Sequence, residues 1–108
     1  MEKWVLRHWV EKSGRSSIEH WLDKLTKEQL KSITKELKML ELVGYRLKLP
    51  HSKALGQGLF ELREQRYGYR IYYGFCGKQI IILLAAGDKK SQRHDITIAR
   101  ERLLEMEK

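Results

Sequence analysis

A chain of 108 residues, with 22 Lys+Arg against 14 Asp+Glu and a formal net charge of +8, has room for one modest core and no second, because a chain of this size buries only about two-thirds of its unfolded surface. At 42% hydrophobic and 33% charged, with three Trp and five Tyr, it is too apolar and too aromatic for a disordered basic tail. One cysteine, Cys76, excludes an intramolecular disulfide and a cysteine-based zinc site, and the longest apolar run, Ile80 to Ala86, falls far short of the roughly 20 residues that span a bilayer.

The opening MEKWVLRHWVEK lacks the apolar core of a signal peptide. The expectation is one soluble, reduced, cytoplasmic domain over residues 1–108. Lys3–Val10 is apolar and aromatic, is bounded by Ser13-Gly14, and reads as a first strand. Ser16 or Ser17 then caps a short helix with Ile18, Trp21, Leu22 and Leu25 at i, i+3, i+4, i+7. Thr26 and Gln29 make a capping-box pattern for a second helix that carries Leu30, Ile33, Leu37 and Leu40 on one face and stops at Gly44. Both helices read as scaffold or partner surface.

From Leu59 the period changes to two. Leu59–Glu64 and Tyr69–Phe75 read as strands joined by a turn at Gln65–Gly68, and Cys76-Gly77-Lys78 turns into Gln79–Ala86. That Ile/Leu run is apolar on both faces and so belongs inside the sheet. A last helix runs from about Ser91 or Asp95 to Lys108, with Ile96, Ala99, Leu103 and Met106 on one stripe. The order β-α-α-β-β-β-α specifies an α+β fold, a small antiparallel sheet packed by helices.

Charge is unevenly placed. Residues 1–44 balance at +2 and residues 95–108 at −1, whereas residues 45–94 carry ten basic and three acidic side chains, a balance of +7. Solubility gives no reason for such clustering, and a polyanion partner does. With the turn at Gln65–Gly68, Phe60 faces Tyr73 and Leu62 faces Ile71 on the core side, while Arg63 faces Arg70 and Glu61 faces Tyr72 on the other. Two arginines directly opposed on a sheet repel. Either an anion lies over them, since guanidinium forks match phosphate oxygens, or Glu61 and Glu64 neutralise them in a surface ion-pair ladder. Lys53 lies in the loop before the hairpin. Lys89, Lys90, Arg93 and His94 follow the last strand and precede a helix N-terminus, where phosphate is favoured. These side chains can converge on one face, with Tyr72 available to stack on a base. No HExxH, P-loop or paired-carboxylate signature is present, and Gly56-x-Gly58 alone does not specify a nucleotide loop.

Leu59-Phe60-Glu61-Leu62-Arg63, Gly68-Tyr69-Arg70-Ile71-Tyr72, Ile82 through Lys89, Gln92 and Asp95-Ile96 together resemble the RelE/ParE toxin superfamily, and more closely its HigB-like addiction module killer branch. The resemblance covers residues 53–100 well and the N-terminal region in layout, with Trp21-Leu22 on the first helix. It implies the toxin of a type II toxin–antitoxin pair, a ribosome-dependent endoribonuclease that cuts mRNA without a metal or cofactor. The implied partners are the ribosome, mRNA and a cognate antitoxin, acidic or of helix-turn-helix type, with no membrane. The resemblance also implies that Arg63 and Arg70 grip the scissile phosphate, that Lys89 stabilises charge or moves a proton, and that Lys53 contacts the backbone. The sequence departs from the branch at His94, where another basic residue is usual, at Lys90, and at Ala85-Ala86, which replaces a glycine-containing step. The proton carrier therefore stays open between Lys89 and His94, the latter having the intrinsic pKa better suited to acid–base work. Two other functions share the fold: a ParE-like gyrase inhibitor, and a non-catalytic module acting with an antitoxin on operator DNA.

Overall fold

The computed structural model describes residues 3–107; Met1, Glu2 and Lys108, the last of which falls in the expected C-terminal helix, lie outside the described residues. The elements are β1 (Val5–His8), α1 (Ser17–Asp23), α2 (Lys27–Val43), a single 3₁₀ turn (Gly44–Arg46), β2 (Ser52–Gly56), β3 (Leu59–Arg63), β4 (Arg70–Cys76), β5 (Ile80–Gly87) and α3 (Gln92–Met106). The α+β class and the order of the seven expected elements hold. One strand, β2, is added. It is an edge strand whose SKALG sequence shows little alternation, and three of its five side chains are exposed.

Both N-terminal helices begin where their polar caps dictate. The Ser16 hydroxyl accepts the Glu19 N–H at 3.2 Å. Thr26 and Gln29 close a reciprocal capping box: the Thr26 hydroxyl accepts the Gln29 N–H at 3.2 Å and the Gln29 side chain accepts the Thr26 N–H at 2.9 Å. Gly44 ends α2 with φ +56°, and the Trp4 indole occupies the space where its Cβ would lie, so both backbone and packing require glycine.

The sheet order is β1-β5-β4-β3-β2. The four strands from β2 to β5 are antiparallel, and β3 and β4 pair in the expected register, Phe60 with Tyr73, Glu61 with Tyr72, Leu62 with Ile71 and Arg63 with Arg70. β1 instead joins β5 in parallel, Val5 opposite Ile80, which makes the sheet mixed. Its partner lies more than seventy residues downstream, and no local signal sets the direction of such a pairing.

Two cores follow from the sheet's two faces. On one face Ile18 of α1 and Ile33 and Leu40 of α2 pack on Leu62, Ile71, Tyr73, Ile81 and Leu83. Leu30, expected on that stripe, is exposed instead. On the other face Ala99 and Leu103 of α3 pack on Leu59, Tyr72, Leu84 and Ala85. A bulge in β5 leaves Leu84 without a cross-strand partner and turns both Leu84 and Ala85 toward α3, which re-aims the end of the strand. The face carrying Arg63, Arg70 and Glu61 is therefore half covered by a helix, and the charged residues lie at its open end.

Candidate functional site

The hairpin that carries the two arginines is braced from within. Glu64, the first residue after β3, is buried, and its carboxylate accepts the backbone N–H groups of Arg66 (2.8 Å), Tyr67 (2.9 Å) and Tyr69 (3.3 Å) together with the Ser32 hydroxyl of α2 (2.6 Å). Burial pushes its pKa up, but the hydrogen bonds from Ser32 and the turn amides outweigh it and hold the carboxyl below its ordinary value. Glu64 thus fixes the turn and pins it to α2, and does not pair with either arginine.

Glu61 takes that role alone. It is 1% exposed, and its Oε1 accepts Arg63 Nε at 2.8 Å, while Oε2 accepts Gln92 Nε2 of α3 at 2.9 Å and lies 3.5 Å from Arg70 Nε. Arg70 Nη1 donates to the Gly68 carbonyl at 2.9 Å. Desolvation raises the Glu61 pKa, but the Arg63 and Gln92 hydrogen bonds and the charges of Arg63 and Arg70 overcome it, so the carboxyl is held below its ordinary value. The opposed arginines are therefore held by one buried anion rather than by a surface ladder.

A cleft of about 340 Å³ opens beside them, and its lining includes Pro50, Arg63, Tyr69, Arg70, Lys89 and one acidic residue, Glu64. Lys89 is held in the loop after β5 by Asp88, whose Oδ1 accepts the Lys90 N–H at 2.9 Å and the Ser91 N–H at 3.1 Å. The Ser91 hydroxyl donates to Asp95 Oδ2 at 2.6 Å, which seats the first turn of α3. Burial pushes the Asp95 carboxyl up, partly offset by that hydrogen bond.

The structure thus brings Arg63, Arg70 and Lys89 to one cleft. Lys53 is on β2 rather than in a loop, directly opposite Glu61 in register, and exposed outside the cleft. Lys90, Arg93 and His94 are exposed at the start of α3 and do not line the cleft. Tyr72 corrects the expectation of base stacking. It is 0% exposed, packed under α3, and its hydroxyl lies beside the Glu61 carboxylate without a well-formed hydrogen bond. Burial first, then the Glu61 charge, pushes its phenol well above the ordinary value. The alternation that placed Tyr72 beside the arginines was right, and the helix lying over that face was invisible to it.

Glu61, Gln92, Glu64, Ser91 and Asp95 organise the site and were not singled out as site residues. Gln92 had one signal, its place in the ordered motif. Glu61 had another: two residues before Arg63 on a strand, it shares that residue's face. Among the described residues, no group of three His, Cys, Asp or Glu side chains is placed to hold a metal ion. A larger cleft of about 520 Å³ lies between α2 and the β3–β4 turn, where His51 Nδ1 and Glu36 Oε1 are 3.1 Å apart.

The family model of phage-derived Gp49-like proteins (DUF891) matches residues 20–104. An uncharacterised protein of Haemophilus influenzae is 33% identical over 86 residues, which cover 78% of this chain and 83% of the relative. Among solved structures, a double arginine-to-alanine variant of the E. coli toxin RelE in the free state matches with a TM-score of 0.66 at 14% identity, covering 93% of this chain and 97% of that one. The isolated E. coli RelE toxin matches with a TM-score of 0.58 at 17% identity, over 90% of this chain and 97% of that one. At these identities the two structures establish a shared RelE-like fold.

Proposed function

The chain belongs to the family of phage-derived Gp49-like proteins, and from that premise we propose that it is the toxin of a toxin–antitoxin pair, cutting mRNA on the ribosome. The observation that carries the reading is the cation set at one cleft. Arg63 and Arg70 are opposed across neighbouring strands, both anchored by buried Glu61, with Lys89 on the same cleft. Such an arrangement recognises a phosphodiester and costs no reorganisation when the phosphate arrives. The RelE-like fold and the motif from Leu59 to Arg63 support the same reading, extended to the HigB-like branch of that superfamily.

In the proposed reaction the ribose 2′-oxygen bonds to the adjacent phosphorus while the bond to the 5′-oxygen breaks. The 2′-hydroxyl loses its proton to solvent water and the departing 5′-oxygen gains one. Arg63 and Arg70 hold the non-bridging oxygens through their Nη atoms and offset the charge that builds on the phosphorane. Lys89, which lines the cleft, is better placed than His94, which does not, to deliver the proton to the 5′-oxygen. The cleft holds no matched acid and base pair, so the ribosome supplies the in-line orientation of the mRNA, worth several kcal/mol of barrier. A cognate antitoxin of opposite charge covers the basic face in the resting cell, and complementary charge speeds that encounter.

Induced expression followed by mapping of new mRNA 5′ ends tests the reading. Codon-phased cuts that disappear in Arg70→Gln support it. DNA damage with intact mRNA would replace it with gyrase inhibition, and unimpaired growth would replace it with a non-catalytic role beside an antitoxin on operator DNA.

A further inference from the structure

Glu61 is the one acidic side chain in contact with both arginines among the described residues, and three elements meet on it: Arg63 shares its strand β3, Arg70 comes from β4 and Gln92 from α3. A carboxylate buried to 1% exposure is costly to keep charged, and a site selected only for affinity toward a polyanion is weakened by it. Its geometry shows what it contributes. Arg63 Nε donates to Glu61 at 2.8 Å, whereas Arg70 Nε lies 3.5 Å from Glu61 as an ion pair without a hydrogen bond, and Arg70 is tied by Nη1, which donates to the Gly68 carbonyl. Among the described residues, no protein hydrogen bond engages the Nη atoms of Arg63 or Nη2 of Arg70. A guanidinium held by one of its donors has its torsions restricted, and its remaining donors form a fixed edge.

We propose that Glu61 is a positioning residue, which fixes the Arg63 guanidinium through an Nε hydrogen bond and holds Arg70, itself tied to the Gly68 carbonyl, by its charge, so that their free Nη edges meet one phosphate in a single geometry. Gln92 completes the lock by fixing the second carboxylate oxygen from α3. The inference rests on the phosphate-clamp reading above and adds to it an acidic residue whose presence lowers raw affinity for RNA and raises the rate.

That opposition of signs makes the test decisive. Glu61→Gln keeps the shape, removes one negative charge, weakens the hydrogen bond to Arg63 Nε and removes the countercharge of Arg70. Two quantities are read: affinity for a short single-stranded RNA by fluorescence anisotropy, and the single-turnover rate of mRNA cleavage on saturating ribosomes. A positioning role predicts RNA binding unchanged or tightened a few-fold, with the cleavage rate falling on the order of 10²-fold, the loss expected when reacting groups are misplaced by about 1 Å. A rate within threefold of the parent overturns the proposal, because charge balance alone then accounts for Glu61. So does a matched fall in binding and rate, which marks a general structural defect. The Arg63 Nε–H resonance provides a readout that needs no activity. It should exchange slowly with solvent in the parent and quickly in the variant, and equal exchange overturns the proposal. Should Glu61→Gln fail to fold, Glu61→Asp replaces it with the same expected split and the same refuting results. A parent that binds RNA and shows a protected Arg63 Nε–H but never cuts on ribosomes refutes the ribonuclease reading and leaves the orienting role of Glu61 intact.

Discussion

Replacing Gly87 by alanine should unseat α3. Gly87 ends β5 opposite Arg70, and a Cβ there would run into the Asp95 carboxylate and the Ser91 hydroxyl, the pair that anchors the first turn of α3. The side chains cannot retreat without cost, because Asp95 is buried and holds the Ser91 hydroxyl at 2.6 Å. Overpacking a tight site costs about 1–3 kcal/mol, and losing a hydrogen bond to a charged group costs about 1.5–3 kcal/mol more. The total, about 2.5–6 kcal/mol, corresponds to a fall in Tm of roughly 10–24 °C at this chain length. Thermal melts by circular dichroism measure it directly. The double variant Gly87→Ala/Asp95→Ala should recover part of the loss, with a coupling of at least about 1 kcal/mol in the double-mutant cycle. A Gly87→Ala protein melting within about 3 °C of the parent refutes the argument, since α3 would then be seated by something other than the contact at Gly87.

Arg63→Ala and Arg70→Ala should each abolish growth inhibition and also cost on the order of 1–3 kcal/mol, because each leaves buried Glu61 with one donor or countercharge fewer; full toxicity in either contradicts the clamp. Tyr72→Phe removes a buried hydroxyl that lies beside Glu61 without a well-formed hydrogen bond, so stability by urea titration should stay within about 1 kcal/mol of the parent or rise, and RNA affinity should not change; weakened RNA binding contradicts the buried placement. Acid should destabilise the fold through Glu61 and Glu64. Their folded pKa values lie below the unfolded value of 4.5, so their stabilisation is complete above pH 4.5 and is lost as pH falls through the folded values. Asp95, raised by burial, works in the opposite sense as pH falls through its own folded value. Tm should therefore hold steady from pH 7 to about pH 5 and drop below pH 4.5, with a shallower drop in Glu64→Gln; an unchanged acid limb in that variant contradicts the assignment.

The hairpin was legible in the sequence because two local signals agreed on it, a period near two on both strands and a turn ending at Gly68. Together they fix the register to the residue, and the opposition of Arg63 and Arg70 follows. The helix caps were legible for the same reason, Thr26 and Gln29 being a local device. What was not legible depends on distant pairing. The parallel direction of β1 is set by its contact with β5, and β2 is held at the edge by β3 although its own residues carry little strand pattern. The gravest loss was the layer over the second face. Alternation assigned Tyr72 and Glu61 to a polar face open to solvent, and only the docking of Ala99 and Leu103 shows that this face is a second core. The same docking turns Glu61 from one rung of a surface ladder into a buried anchor. It also takes His94 out of the cleft, because the helix start that sequence reasoning placed near the arginines presents Gln92 inward and His94 to solvent.

The measurement that bears most directly on the central claim compares RNA cleavage by the purified chain with and without ribosomes. A 5′-labelled mRNA is incubated with the protein alone and with the protein plus programmed ribosomes, and the new ends are read at single-nucleotide resolution. The cation-rich cleft, with Arg63, Arg70 and Lys89 but no matched acid and base, predicts salt-dependent binding to free RNA with very slow cutting. Added ribosomes should give fast cutting at codon-phased positions, and Arg70→Gln should remove it. Rapid, sequence-selective cleavage of naked RNA by the clean protein, or intact mRNA on ribosomes at saturating protein, would contradict the account.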